Sequence, residues 1–313
     1  MRSFKAAACL LAAASLCGAL AAAAPAQTAR AAKYEAEPAT GAGVRWADVR
    51  VEFEGNRFFT SEQLRRATAE CYAGHSRDEE KFKPDLLDYC LRKDLVGLMR
   101  RAGYLRAKFG EARTLQLGPG LSVFVPVEEN ELYRLGSVKI EGAEHFKAER
   151  LRELLPSKEG DIADGDAIAV WVYEHLRKKY ADEGFIQYES EIEPEFRLEP
   201  GATEGVADIA VTIYEGKRFK LRRVEFEGAA GAPLDALREA LGLKQGEVFR
   251  QREYEDGFEK LNGLELFRAE GRFENVDRDR DVDFRADEES GEVDLTIHLR
   301  EKGQERVTRR AAR

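Results

Sequence analysis

The chain has few of the residues that usually carry chemistry. Its 313 residues include only four histidines and four cysteines, and no apolar run long enough to span a membrane comes after the first thirty. The last point excludes a transmembrane helix in the mature chain. His75, His145, His175 and His298 lie far apart with no ligand spacing, and no CxxC pair is present, so neither a zinc ribbon nor a thioredoxin-type centre is expected. A GxSxG elbow, a phosphate loop ending in GK[ST] and a dinucleotide glycine fingerprint are all missing, and Gly118-Pro119-Gly120 reads as a turn. Positive charge is also in deficit, with 50 Lys and Arg against 59 Asp and Glu and a net charge of -9. Such a balance argues against nucleic acid as a partner. Asp277, Asp279, Asp281 and Asp283 alternate ahead of Glu288, but Val282 stands where a calcium loop needs glycine. That run is a solvated hairpin. No enzyme, cofactor or metal is expected.

There is enough apolar material for packed cores: 43% hydrophobic and 9% aromatic residues beside 35% charged. At about 100–200 residues per domain the length suits two or three domains. Residues 1–26 read as a cleavable signal peptide, with Arg2 and Lys5 ahead of an alanine-rich stretch and Ala24-Pro25-Ala26 at its end. The alternatives are an uncleaved anchor, weakened by so much alanine, and a lipoprotein, for which Leu16 before Cys17 is unsuitable. Cleavage moves the net charge from -9 to -11 and leaves two cysteines, Cys71 and Cys90. An even pair in an exported chain predicts a disulfide, against the alternative of two buried thiols. Residues 27–43, rich in Ala, Thr, Gly and Pro, form a flexible tether.

One pattern then occurs three times. Val49-Arg50-Val51-Glu52-Phe53-Glu54-Gly55 returns as Gly136-Ser137-Val138-Lys139-Ile140-Glu141-Gly142 and again as Arg222-Arg223-Val224-Glu225-Phe226-Glu227-Gly228. Apolar residues two apart mark a half-buried strand, and the glycines are 87 and 86 residues apart. A short helix comes after each, opened by Ser61 as cap in the first copy and by Pro233 in the third. Next come matching turns, Gly160-Asp161-Ile162 and Gly246-Glu247-Val248, and a longer amphipathic helix. Its stripe is Leu87, Leu91, Leu95 and Leu98 in the first copy, Ile168, Trp171, Val172, Leu176 and Tyr180 in the second, and Tyr254, Phe258 and Leu261 in the third. A hairpin with an alternating last strand closes each copy, as in Ile209-Ala210-Val211-Thr212-Ile213. The order is strand–helix–helix–strand–strand, an α+β unit with a three-stranded sheet under two helices. The first copy carries a charged insertion, Gly74 to Lys81, between its cysteines.

This repeat resembles a tandem array of POTRA domains, the periplasmic modules of the BamA/TamA superfamily of outer-membrane assembly proteins and of two-partner secretion transporters. The resemblance covers residues 44–302 and rests on the element order, the Glu-Gly strand endings, Gly103-Tyr104 and Gly184-Phe185 after the long helices, and the closing strands. Leu264-Glu265-Leu266-Phe267 is similar to the end of the long helix in the domain nearest the barrel of that superfamily. The boundaries read as domain 1 at 44–132, domain 2 at 133–216, domain 3 at 217–302 and a basic tail at 303–313. Barrel-forming strands do not come after them, so the expectation is a free-standing array beside a separate barrel, or a truncated relative of a barrel-bearing protein.

The resemblance implies a periplasmic location at the inner face of the outer membrane, and a function in binding unfolded outer-membrane protein clients, a β-barrel partner, or both. The alternative is an envelope scaffold similar to the POTRA-bearing proteins of division complexes, holding a folded partner. In this fold the last strand lies centrally and the first strand of the hairpin lies at an edge, open to strand addition. The candidate edges are 105–113, 186–192 and 269–275, with Leu105, Arg106 and Lys108 on the first, Ile186, Tyr188, Glu189 and Glu191 on the second, and Ala269, Arg272 and Glu274 on the third. Their charges equally suit guarding an edge against aggregation. The tail arginines suit peripheral contact with an anionic membrane surface, or a frayed solvated end.

Overall fold

A computed structural model of the chain describes residues 43–303 other than 76–80, 118–119 and 229. The expected signal peptide, the expected tether up to residue 42 and the residues from 304 onward lie outside the described residues, as does most of the charged insertion.

Three small α+β modules succeed one another along the chain. The first runs from β1 (Val49–Glu54) through a helix, Ser61–His75, and a long helix over residues 84–101 to β2 (Lys108–Phe109), β3 (Arg113–Leu117) and β4 (Gly120–Glu128). The second consists of β5 (Leu132–Glu141), the helix Ala148–Arg152, a long helix over residues 165–181, β6 (Glu189–Arg197) and β7 (Glu204–Tyr214). The third is β8 (Lys220–Glu227), the helices Leu234–Leu241 and Gln251–Asn262, β9 (Val282–Asp287) and β10 (Glu292–His298). In each sheet the last strand is central. It pairs in parallel with the first strand, β1·β4, β5·β7 and β8·β10, and antiparallel with the hairpin strand. The two helices form the crossover that a parallel pair requires. In the first sheet β2 and β3 share one side of β4, with a break at Gly110–Ala112.

Alternation along the central strands builds three separate cores. Val123 and Val125 pack with Leu64 and Leu95 in the first, Ile209 and Val211 with Trp171 and Tyr180 in the second, and Leu295 and Ile297 with Phe249 and Phe273 in the third. Cys71 and Cys90 are bridged, with Cα atoms 5.8 Å apart, beside Tyr72, on which Trp46 stacks at 3.8 Å.

Local chemistry sets the helix starts. The cap of the first helix is Thr60 rather than Ser61: Gln63 N–H donates to Thr60 Oγ1 at 3.2 Å, and Thr60 N–H donates to Gln63 Oε1 at 2.9 Å. This reciprocal pair satisfies two otherwise orphan donors. Pro84 opens the long helix of module 1, and Asp164 caps that of module 2 by accepting from Ala167 N–H at 2.8 Å. Both of these long helices contain a π-helical turn, Leu91–Leu95 and Trp171–Leu176. The third, Gln251–Asn262, is regular and ends sooner, at the Glu265–Phe267 turn.

β5 bulges between Leu135 and Val138, and the β8·β10 register shifts at the corresponding place. An aspartate on the central strand fills each gap. Ser137 donates its N–H and hydroxyl to Asp208 at 2.7 and 2.8 Å, and Arg222 Nε donates to Asp294 at 2.8 Å.

Candidate functional site

Each sheet has two edges, and the chain treats them differently. The first-strand edge is covered over its N-terminal half by the turn between the two helices. Gly160 N–H donates to the Leu135 carbonyl at 2.8 Å, Leu135 N–H to that of Asp161 at 2.8 Å, and Ala163 N–H to that of Tyr133 at 3.0 Å. Gly246, Leu221 and Phe249 repeat these bonds in module 3, at 2.7, 2.9 and 2.9 Å. The matching turns legible in the sequence are therefore edge caps. Val44 and Phe82 form the counterpart in module 1, at 2.7 Å.

The hairpin edge has no strand beyond it among the described residues. It is continuous only in module 2, where β6 runs nine residues. In module 1 it is split into β2 and β3. In module 3 it is split between β9 and a single bridge, Phe273 to Glu301. Pro194 interrupts β6 chemically but not geometrically. Proline fits a paired strand only where its missing N–H faces away from the ladder, so Ser190, Ile192 and Phe196, on the same parity, turn their backbone groups outward. Glu189, Glu191, Glu193 and Glu195 occupy the other parity and are exposed. A groove of about 290 Å³ lies between Tyr173 and Arg177 of the long helix and Glu189–Glu191 of this edge. A larger one of about 690 Å³ lies between Gln251, Tyr254 and Glu255 and the Val282–Arg285 edge. Tyr173, Tyr214 and Phe284, 48%, 50% and 41% exposed, supply apolar surface beside these edges.

Of the ten candidate edge residues, Lys108, Glu189 and Glu191 sit on edge strands. Lys108 forms a cross-strand ion pair with Glu128 at 2.9 Å, and Glu191 accepts from Tyr214 at 3.5 Å. Leu105 and Ile186 do not: each is a peg packed against the core of the next module. Arg106 lies in the same turn, its guanidinium 5.8 Å from the Phe196 ring and its carbonyl accepting from Asn130 at 2.8 Å. Tyr188 is a core residue, donating to the Val172 carbonyl at 3.2 Å and stacked on Tyr180; burial raises its pKa. The third edge is not where the sequence pattern puts it. Ala269, Arg272 and Glu274 precede the regular strand, which is Val282–Asp287. Arg272 and Glu274 only flank the Phe273 bridge, with Arg272 engaged by Glu301. Glu274 N–H still donates to the Arg300 carbonyl at 2.9 Å and the Asp281 carbonyl accepts from His298 N–H at 2.8 Å, so residues 275–280 loop out. The turn is closed by the Asp281 side chain, which accepts from Asp277 N–H at 2.9 Å and pairs with Arg300 at 2.8 Å. No sequence alternation marks such an excursion.

The junctions between modules share one plan. After the long helix of module 1, Gly103 turns the chain at φ 87°, and its carbonyl accepts from Tyr133 N–H at 2.9 Å. After that of module 2, Gly184 does so at φ 94°, accepting from Phe219 N–H at 2.9 Å. A Cβ on Gly103 would lie 2.7 Å from Ile162 and Leu132, and one on Gly184 would lie 2.6 Å from Val248. Two residues later comes the peg, Leu105 or Ile186. An ion pair joins consecutive long helices: Arg101 to Asp166 at 2.8 Å, and Asp182 to Arg252 at 3.7 Å.

A glutamate after each central strand has a role that sequence reasoning misses, although its spacing repeats. Glu129 is buried and accepts from the N–H groups of Arg57, Phe58 and Phe59 at 2.9, 2.8 and 3.0 Å. Glu215 accepts from Glu144 and His145 N–H at 2.8 and 2.9 Å and from the Tyr180 hydroxyl at 2.8 Å. Glu301 stands at the same spacing in module 3 and is engaged by Arg272 instead. Glu129 and Glu215 order the loop that leaves the first strand of their modules.

A family model for POTRA, described as a surface antigen variable number repeat, matches residues 133–216 and 219–302, more than half of the chain. The chain belongs to the POTRA family. Its first module, outside the matched ranges, has the same parallel first-to-last pairing. The chain is 24% identical over 229 residues to a putative outer membrane protein assembly factor of Treponema pallidum (strain Nichols), a match covering 70% of this chain and 26% of that protein. It thus spans about a quarter of that relative. Among solved structures, POTRA domains 3–5 of BamA from Haemophilus influenzae superpose with a TM-score of 0.58 at 18% identity, over 82% of this chain and 96% of theirs. POTRA domains 1–3 of Omp85 from Anabaena give 0.33 at 15% identity, over 82% and 95%. No described helix of this POTRA chain is long and apolar enough to cross a membrane.

Proposed function

We propose that this chain is a periplasmic, non-enzymatic POTRA array, with modules at 44–132, 133–216 and 217–302, that binds extended segments of outer-membrane protein clients, and a β-barrel partner, by strand addition. The carrying observation is the continuous nine-residue β6 edge beside its groove, with the Pro194 N–H as the one donor missing from its outward side. An added strand pairs with the outward backbone groups of Ser190, Ile192 and Phe196 and places alternate side chains against Tyr173 or over the glutamate row. Backbone pairing reads extended shape more than sequence, which suits transient capture of many unfolded chains. The interrupted edges of modules 1 and 3 offer fewer consecutive partners and rank below β6.

A second reading has its own support. The Pro194 and glutamate pattern is also how an edge is guarded, which suits a scaffold holding one folded partner through another face. Photo-crosslinkers at Glu191 and Glu195, with Arg134 on the covered half of β5 as the control, separate the two. The strand-addition reading expects crosslinks from β6 to denatured barrel proteins of several sequences and few from β5. Exclusive capture of one folded protein, or equal labelling from both strands, would overturn it.

A further inference from the structure

We propose that the first module contains a zinc site masked by its disulfide: Cys71, His75, Cys90 and Asp94 become four ligands when the two sulfurs are reduced. The donors come as two pairs with one helical spacing. Cys71 and His75 lie four apart on the Ser61–His75 helix, facing Cys90 and Asp94, four apart on the long helix. One donor atom each from Cys71, His75 and Asp94 all fall within 4.8 Å of one another, and Cys90 Sγ is bonded to Cys71 Sγ. The set is two soft sulfurs, an imidazole and a carboxylate, which matches tetrahedral zinc chemistry.

The surroundings are suited to it. His75 Nδ1 lies 3.8 Å from Cys71 Sγ and donates its N–H to the Cys71 carbonyl at 2.9 Å, which holds the ring beside the sulfur and leaves Nε2 as the nitrogen with a lone pair for zinc. Asp94 has no ion-pair partner among the described residues, and both it and His75 are exposed along a cleft of about 600 Å³ that gives an ion a way in. The fold does not require these residues. Trp171 and His175 stand at the corresponding places in the long helix of module 2, and Gly257 and Lys260 in module 3, whose helix lacks the π-helical turn. The Leu91–Leu95 π-helical turn begins immediately after Cys90 and carries Asp94.

The chemistry balances with a dithiol reductant. Two electrons and two protons convert the Cys71–Cys90 disulfide to two thiols while the reductant becomes its own disulfide. Zinc then displaces the thiol protons to solvent. Zinc–sulfur bonds of about 2.3 Å at a tetrahedral angle put the two thiolate sulfurs about 3.8 Å apart. Oxidised, the site has lost its two thiolates and holds zinc poorly.

The test uses the full chain, reduced with a phosphine, and zinc in competition with a chromogenic chelator. Expected are one zinc per reduced chain, affinity at least about a hundredfold weaker in the oxidised chain, and cobalt spectra with thiolate charge-transfer and tetrahedral bands. His75→Ala and Asp94→Asn should each weaken zinc about tenfold or more. Both variants keep the disulfide, so their folding is verified in the oxidised state by the fluorescence of Trp46. The reduction potential gives a readout that does not depend on the reduced module holding its shape: free zinc about a hundredfold above its Kd should raise it by about 60 mV. Equal zinc affinity in both redox states, full affinity in the His75 and Asp94 variants, octahedral cobalt, or no shift in potential would overturn the proposal.

Discussion

The junction between modules 1 and 2 and that between modules 2 and 3 use the same backbone and opposite charges. A positive-φ glycine, a carbonyl accepting from the next module's first strand, and an aliphatic peg two residues on occur in both. Arg101–Asp166 in one becomes Asp182–Arg252 in the other. The recurring part is the one that backbone sterics and apolar packing enforce. The exposed charges are free to exchange, because a half-exposed ion pair contributes about 1 kcal/mol or less. Their reversal has a consequence for order: module 2 presents Asp166 to module 1 and Asp182 to module 3, so mispaired neighbours would set like charges together.

Breaking the shared part should cost most. Gly103→Ala and Gly184→Ala force a side chain into a positive-φ turn against Ile162 or Val248, and each should weaken docking of the adjoining modules by about 2–3 kcal/mol. Urea unfolding of the full chain, monitored at Trp46 in module 1 and Trp171 in module 2, reads the Gly103 change as loss of coupling between the two transitions and the Gly184 change as a shift of the Trp171 transition to lower urea. Leu105→Ala and Ile186→Ala come next, at about 1–2 kcal/mol each, since the pegs are partly buried. Spin-label distances across each junction should broaden in the matching variant alone; broadening at both would end the idea of independent, equivalent joints.

The first strands of modules 2 and 3 are held by their bulge aspartates, and pH sharpens the comparison here. Hydrogen bonds from Arg197 and Ser137 lower the Asp208 pKa from 3.8 to about 2, and Arg222 lowers that of Asp294. The charged form is favoured by folding, so this stabilisation is complete above pH about 4 and fades as the pH falls toward 2. Asp208→Asn should flatten the acid limb of the Trp171 transition between those values and leave the Trp46 transition unchanged. The smallest effect belongs to the ion pairs. Arg101→Asp should loosen the first junction by about 0.5 kcal/mol, with Asp166→Arg in the same chain restoring it. If the double exchange restores nothing, the charges do not contribute to order.

The modules themselves are legible in the sequence because their signals are local. Val49 to Gly55 and its two returns mark the first strands, and the period of two in Ile209 to Ile213 marks a central strand. Cys71 and Cys90 predict the bridge, from parity and export. The candidate edges are legible only where strand comes closely after helix: Glu189 and Glu191 fall on β6, whereas the third edge, expected at Ala269 to Glu274, begins at Val282. Leu105 and Ile186 read as strand residues because alternation does not distinguish a side chain facing its own sheet from one entering the next core. Glu129 and Glu215 do not stand out because glutamate is common here and their partners lie about seventy residues back.

The order of elements, the number of modules and the faces that became core were thus determined by the sequence alone, since period and turn chemistry act over a few residues. Tertiary structure decided which edge each inter-helix turn covers, where the pegs land, which carboxylates hold the loops, and that β6 is the longest hairpin edge left open among the described residues. Those outcomes depend on groups far apart in the chain meeting at hydrogen-bonding or van der Waals distance, and no local pattern encodes that meeting.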